Sequence, residues 1–273
     1  MTSPVGELRR DPVSGRLVAI APARAGRPGA ELPPEDEIAS CPFCAGREDR
    51  TPPEVLRLGD PWRVRVVPNL YPALERHEVV VHSPSHLRSL AELPERQLDL
   101  VAQAWQARAA AATRDGLAYV HAFVNEGREA GASLPHSHSQ LVWLREPPPV
   151  PASETPTEAL LSGEVVVESG GLVLLCPYAA RAPYEMVVAP LAPEGSAFRS
   201  PLLAPALQLA AEGIRRLRRL RPAAPLNLWL HDVSWWHLEI VPRLAPLAGL
   251  ELGAGIYVST LFPEEAASAL REA

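Results

Sequence analysis

A chain of 273 residues, 47% hydrophobic and 21% charged, has ordinary globular composition and can bury a large core without disulfide staples. A net charge of −6 removes the basic footprint that non-specific nucleic-acid binding needs, and no apolar run approaches the ~18–20 residues of a membrane span. The chain contains no lysine, so Schiff-base and phosphate-loop lysine chemistry are excluded and any phosphate must be held by arginine, backbone N–H, amide or hydroxyl groups.

The opening residues lack the charged and apolar regions of a signal peptide, so a cytoplasmic location is the expectation. Residues 7–21 alternate around Asp11-Pro12-Val13-Ser14-Gly15 and predict a hairpin. A Pro/Gly-rich loop over 24–50 carries Cys41-Pro42-Phe43-Cys44. Strands are expected at 63–67 and 78–81, a helix at 94–115 between Pro94 and Gly116, then strands at 119–124 and 140–144. Residues 146–156 hold five prolines and read as a stiff, extended connection, the natural boundary between units 1–146 and 147–273. Beyond it come a hairpin around Ser169-Gly170-Gly171, a strand at 184–189 and a helix at 201–220. Strands at 226–231, 237–241 and 256–260 and a helix at 263–272 complete the chain. The arginines at 215, 216, 218, 219 and 221 on the second long helix read as a solvated face.

The two halves echo one another. Glu78-Val79-Val80-Val81 resembles Glu185-Met186-Val187-Val188, and a helix follows each. Val124-Asn125 resembles Leu226-Asn227, and His136-Ser137-His138 resembles His237-Leu238-Glu239. The repeat predicts two similar α+β units whose sheets join or pack together.

The segment Asn125 to Gln140 concentrates the chemistry. In an extended chain His136, His138 and Gln140 share one face, and two imidazoles with an amide make a poor core face. Upstream, Gly131 and Ser133 suggest a loop whose backbone approaches a ligand closely. Cys41 and Cys44 need two further ligands if they hold zinc, and no second C-x-x-C exists. His86 and His136 lead as partners, ahead of His77, His82 and His121. A redox pair fits less well, because no strand–helix junction surrounds the cysteines. Cys176, in an apolar run, reads as a small buried hydrophobe.

Several segments together resemble the galactose-1-phosphate uridylyltransferase family of the histidine-triad superfamily. They are Glu7–Arg16, Ala21–Pro28, Cys41–Cys44 with Thr51–Val55, Val67–Leu74, Gly131–Gln140 and the run from Trp236 to Tyr257. The resemblance implies an α+β fold of two histidine-triad-like repeats, mainly antiparallel sheet with flanking helices. It implies ping-pong transfer, with His138 attacking the α-phosphorus of a UDP-sugar, expelling a sugar 1-phosphate, and passing UMP from a uridylyl-histidine to a second hexose 1-phosphate. Gln140, Ser133, Asn125 and the amides around Gly131 would bind phosphoryl oxygens. Arg24 and Arg27 would neutralise the diphosphate, and Asn69 belongs to a stretch like the family's nucleoside-binding segment. His136 would join Cys41, Cys44 and His86 around a structural zinc. His231 and His237 match two ligands of a possible second metal, iron or zinc, with Glu239 where some members have histidine and Glu154 or Glu158 as the carboxylate. Gly253-Ala254-Gly255 replaces side chains that contact the hexose in better-known members, and a homodimer is an expectation by resemblance.

Three rivals use the same residues differently. In a nucleoside-diphosphate-sugar phosphorylase of the ADP-glucose type, inorganic phosphate is the acceptor; in a histidine-triad hydrolase, water is. A non-catalytic zinc module would form no covalent adduct. A further arrangement, with His136 and His138 both on the metal and zinc-bound hydroxide as attacker, would be closed to water once both cysteines are bound.

Overall fold

The structure, a computed structural model, describes residues 7–22, 24 and 37–273. A hairpin of β1 (Glu7–Arg10) and β2 (Leu17–Ile20) opens it, closed by a turn at whose end Gly15 takes φ +73°. After the one-turn α1 (Glu37–Ser40) the first half supplies β3 (Leu56–Leu58), β4 (Val64–Pro68), β5 (His77–Val81), α2 (Glu95–Arg114), β6 (Tyr119–Glu126) and β7 (His138–Leu144). Pro94 sits just before α2, where its missing N–H costs nothing.

The 146–156 segment is not extended throughout. Pro149–Ser153 forms a helical turn, α3, with Pro149 in its first turn, where a fixed φ suits helix entry. The second half supplies β8 (Glu164–Ser169), β9 (Leu172–Cys176), β10 (Met186–Pro190), α4 (Leu203–Leu220), β11 (Leu226–His231), β12 (His237–Pro242), α5 (Gly249–Ala254) and α6 (Pro263–Glu272). Gly170 and Gly171, both at positive φ, make the tight turn between β8 and β9. Residues 256–260 form no strand: α5 ends at Gly255, at φ +70°, and the chain beyond it runs exposed with no strand to pair with.

Ten strands form one antiparallel sheet in the order β3-β4-β5-β7-β6-β11-β12-β10-β9-β8. Read inward from either edge, each strand of one half has its counterpart five places later in the other, and the halves join at β6–β11, where Asn125 faces Asn227. Cross-strand pairs place Gln140 opposite Phe123 and Val79 in the first half, and Glu239 opposite Trp229 and Val187 in the second. By register, then, His138 corresponds to His237, Gln140 to Glu239 and Asn125 to His231. The echo of Asn125 with Asn227 is displaced, because the loop between the last two strands of each half differs in length (127–137 against 232–236).

One face of the sheet carries the main core. Val80, Val120, Ala122, Val124, Leu141, Leu226, Leu228, Leu238 and Ile240 pack with α2, α4 and α6 in a single cluster spanning both halves. The opposite face has two small apolar patches. One is Cys41, Phe43, Cys44, Trp62, Val67, Val79 and Val81; the other is Val173, Leu175, Val187 and Ala189. Between them, the same face presents His138, Gln140, Phe123, Asn125, Trp229, His231, His237 and Glu239.

Three of the arginines expected on a solvated face, Arg215, Arg216 and Arg218, are instead partly buried and partnered, while Arg219 and Arg221 remain exposed. Arg215 donates to Glu212 and the Ala91 carbonyl, and Arg216 to Glu212 and the carbonyls of Leu270 and Arg271. Arg218 reaches Glu126 at 2.8 Å, a carboxylate that also accepts from Ser89 Oγ and the Leu90 N–H. Cys176 is fully buried, and burial pushes its thiol up to about 12. No helix among the described residues is long and apolar enough to cross a membrane.

Glu126 ties β6, α4 and the start of the first helical layer together. Glu126→Ala leaves the buried Leu90 N–H and Ser89 hydroxyl without their acceptor, while Arg218, 26% exposed and 3.9 Å from Glu92, keeps water and a second carboxylate. It should cost about 1–3 kcal/mol in denaturant unfolding, and a loss below about 0.5 kcal/mol would contradict that role.

Candidate active site and metal clusters

The loop from Cys41 to Gly46 folds over one end of β5 and β7. Cys41 Sγ lies 3.4 Å from His136 Nδ1, and Cys44 Sγ lies 3.3 Å from His86 Nδ1 and 3.7 Å from His136 Nδ1. Bonds of about 2.3 Å to sulfur and about 2.0 Å to nitrogen put S and N about 3.5 Å apart around a tetrahedral ion, so these spacings fit one four-coordinate cation. The four donor atoms all lie within 4.8 Å of one another. His136 Nε2 donates to the Ser83 carbonyl at 2.9 Å, which leaves the lone pair on Nδ1, the nitrogen facing the thiols. Burial lowers His136 to about 4, so its ring is neutral, and raises Cys41 to about 12 in the absence of a cation.

His138 is the first residue of β7 and turns the other way. Its Nδ1 donates to the carbonyl of His136 at 2.7 Å, fixing the tautomer whose lone pair is on Nε2. Phe43 of the cysteine loop packs on both rings, 5.4 Å from His138 and 5.9 Å from His136. Behind the strand, the fully buried His82 bridges the serines that flank His138, with Nδ1 2.9 Å from Ser137 Oγ and Nε2 2.9 Å from Ser139 Oγ. Trp105 Nε1 also donates to Ser139 Oγ. His136 precedes β7 instead of sharing its face, so the expected single face holds for His138 and Gln140 only.

Gln140 Oε1 accepts from His77 Nε2 at 2.9 Å, and His77 Nδ1 accepts from the Ala73 N–H at 3.0 Å. Asn69 Nδ2 lies 3.2 Å from His77 Nε2, and its Oδ1 accepts from the Tyr71 N–H. Asn125 Oδ1 accepts from Asn227 Nδ2 across the seam. Gly131, at φ +84°, turns the loop back toward Asn125, a conformation side chains resist. Ser133 is half-buried on the same loop. Arg24 Nη1 donates to the Tyr71 carbonyl at 2.6 Å, docking that arginine on the loop after β4; Arg27 lies outside the described residues.

The second cluster joins Glu154, His231, His237 and Glu239; Glu158 is not in it. Glu154 Oε1 comes within 2.7 Å of His231 Nδ1, yet His231 Nδ1 and Glu154 Oε2 are buried without a hydrogen-bond partner. Two imidazoles and two carboxylates whose donor atoms all lie within 4.8 Å of one another could hold a cation. His237 Nδ1 donates to the Trp235 carbonyl at 3.2 Å, leaving Nε2 toward the carboxylates, 3.4 Å from Glu239 Oε1. Burial alone would lower His231, but the facing carboxylates lift it to about 9. Burial would likewise raise Glu239, but His231, His237 and Arg181 hold it well below the usual range. Arg181 bonds both Glu239 and Glu185 and stacks over Trp229, 5.4 Å from the ring.

Of the weaker metal candidates, His77, His82 and His121 all lie outside both clusters. His121 stacks between Tyr119 and Phe123, and burial lowers it to about 4. Phe43 and Arg181 had no signal in the sequence, since neither belongs to a spacing pattern of its own.

A family model described as galactose-1-phosphate uridyl transferase, N-terminal domain, matches residues 72–148. The chain is 32% identical to ADP-glucose phosphorylase of Arabidopsis thaliana over 97% of its own length and 92% of that protein's. It is 26% identical to galactose-1-phosphate uridylyltransferase of Thermotoga maritima, over 97% and 98%. The crystal structure of the Arabidopsis thaliana ADP-glucose phosphorylase with bound ADP-glucose superposes with a TM-score of 0.78 at 30% identity, covering 98% of this chain and 99% of that one.

Elemental analysis tests the two roles. Cys44→Ser and His86→Ala should each lose the first cluster's metal and lower Tm, whereas His138→Asn should keep both near wild type. Release of metal by His138→Asn would mean that His138 is itself a ligand.

Proposed function

From the premise that this chain belongs to the galactose-1-phosphate uridylyltransferase family and is a nucleotidyltransferase, we propose that it moves a nucleoside monophosphate from a nucleoside-diphosphate sugar to a phosphate acceptor through nucleotidyl-His138. The observation that carries the reading is the tautomer of His138. With Nδ1–H on the His136 carbonyl, Nε2 is the nucleophilic nitrogen, and the ring is already oriented.

In the first half-reaction Nε2 attacks the α-phosphorus. The N–P bond forms as the bond from that phosphorus to the bridging oxygen breaks, and the sugar 1-phosphate leaves with the electron pair. Gln140, Asn125, Ser133 and the amides near Gly131 stabilise the charge on the transferring group by hydrogen bonding. In the second half-reaction an acceptor phosphate oxygen attacks the same phosphorus, and His138 leaves. Asn69 binds the nucleoside, and Arg24 and Arg27 supply positive charge to the diphosphate.

Cys41, Cys44, His86 and His136 would hold zinc, as a soft N/S donor set with no place for water requires. Its contribution is structural: bound there, it fixes the backbone on which His138 is mounted. Glu154, His231, His237 and Glu239 would hold a second divalent cation, iron or zinc. We take residues 1–146 and 147–273 as two histidine-triad-like units, the first carrying the nucleophile.

Phosphorolysis of ADP-glucose is the finer reading we take first: the donor is ADP-glucose and the acceptor inorganic phosphate, giving ADP and glucose 1-phosphate. It is supported by the 32% relative that covers nearly the whole chain, and by Gly253-Ala254-Gly255, which by the family resemblance stands where better-known members carry side chains that contact the hexose. Exchange of UMP between a UDP-hexose and a hexose 1-phosphate is the second reading, supported by the family model and the Thermotoga maritima relative. A homodimer is supported by exposed apolar side chains on the β1–β2 hairpin (Leu8, Val18, Ile20) and on the C-terminal segment (Leu252, Ile256, Tyr257, Phe262).

Intact mass after mixing with ADP-glucose or with UDP-glucose should show an adduct of the corresponding nucleoside monophosphate, absent from His138→Asn. Addition of inorganic phosphate should discharge it as ADP under the first reading; discharge only by hexose 1-phosphate favours the second. No adduct with either sugar would overturn nucleotidyl transfer by this residue.

A further inference from the structure

Gln140 can present either end of its amide to a ligand, and only the NH2 end helps a phosphoryl oxygen. The hydrogen bonds around His77 decide which. Its Nδ1 accepts from the Ala73 N–H, so that nitrogen carries no proton, and Nε2 must carry it and donate to Gln140 Oε1. The oxygen of Gln140 is therefore turned to β5, and its NH2 faces away from His77. The 3.2 Å approach of Asn69 Nδ2 to Nε2 is, on this assignment, a contact without a hydrogen bond.

His77 also closes the loop that precedes it. Its carbonyl accepts from the Asn69 N–H at 2.8 Å, and its ring holds Ala73. One buried side chain thus touches both the Asn69–Ala73 segment and the amide two residues from His138. The second half repeats the arrangement with different chemistry. Register puts Glu185, just before β10, at the place of His77 and Glu239 at the place of Gln140. There Glu185 holds Arg181, and Arg181 holds Glu239. In both halves this position fixes the orientation of the side chain that follows the active strand's first histidine on the same face.

We propose that His77 is a positioning residue for nucleotidyl transfer. It aims the Gln140 amide at the phosphoryl group and ties that amide to the loop carrying Asn69. The inference rests on the nucleotidyl-His138 reading and adds to it a residue that does not touch the reacting atoms.

A double-mutant cycle on the full chain tests it, reading the rate of His138 adduct formation with ADP-glucose and with UDP-glucose. Gln140→Ala should slow labelling about 10²-fold, as loss of a charge-stabilising donor does. His77→Phe keeps a ring beside Phe123 but removes the donor, and should slow labelling about 10-fold or more, with the rate rather than the half-saturating sugar concentration affected. His77→Gln, which retains an N–H for Gln140 Oε1, should recover most of that loss. In the Gln140→Ala background His77→Phe should cost less than about twofold, since the group it acts through is gone. Equal slowing in both backgrounds, or a His77→Phe rate equal to wild type, would overturn the proposal while leaving the adduct chemistry standing. Should His77→Phe lose metal or fold poorly, His77→Gln decides: labelling as slow as in Gln140→Ala refutes positioning through an N–H. Absence of any wild-type adduct would overturn both readings.

Discussion

Between His136 and His138 the backbone must send one imidazole toward two thiols and the other toward the open face of the sheet. The hydrogen bond from His138 Nδ1 to the His136 carbonyl, 2.7 Å long, ties the second ring to the peptide that carries the first. Everything else around this span restrains it. Ser137 donates its N–H to the Leu87 carbonyl at 2.6 Å, His82 bridges the side chains of Ser137 and Ser139, and Phe43 lies against both imidazoles. A rigid mount of this kind lowers the entropy lost when an imidazole is aligned with a ligand, and it leaves His138 outside the Cys41/Cys44/His86/His136 cluster.

The same scaffold is furnished twice. In each half the first histidine of the fourth strand in the chain's sheet order donates Nδ1 to the carbonyl two residues back: His138 to His136, His237 to Trp235. What differs is the neighbourhood. Around His138 the register positions carry Asn125 and Gln140, neutral groups able to donate to anionic oxygen. Around His237 they carry His231 and Glu239, with Glu154 alongside, a set that draws positive charge and is partly satisfied by Arg181. Exchanging two amides for a carboxylate and an imidazole changes these register positions from neutral donors to a group that could hold a cation, with no change in strand pairing. A five-strand unit thus specifies where side chains converge, and their identity specifies what they attract.

Much of this was legible in the residues. Alternation located the strands, Pro94 and Gly116 bounded the first long helix, and C-x-x-C with His86 and His136 foretold a cluster that the fold assembles from segments up to 95 residues apart. The illegible parts were decided by tertiary partners. Residues 256–260 have strand-like composition but join neither edge of the sheet, β3 or β8. Arg216 and Arg218 look like part of a solvated face until Glu126, Glu212 and the C-terminal carbonyls arrive to meet them, while Arg219 and Arg221 stay exposed. His77 and His82 were visible only as spare histidines. Their partners lie 63 and 55–57 residues away across strand pairings that spacing alone does not fix. The displaced repeat has the same origin: counting residues across loops of unequal length misaligns strands that hydrogen bonding aligns.

The seam at β6–β11 has a consequence for the chain as a whole. Leu226 to Trp229 pair with Glu126 to Phe123, and the two asparagines bond side chain to side chain at 2.8 Å. Split there, either portion would display a naked central strand, with apolar Val124 or Leu228 on one side and an unmet amide on the other. Such a fragment would self-associate through its torn border or precipitate, so the two halves are obligate companions, and the polypeptide linking them serves as the tether of what is geometrically a covalent dimer.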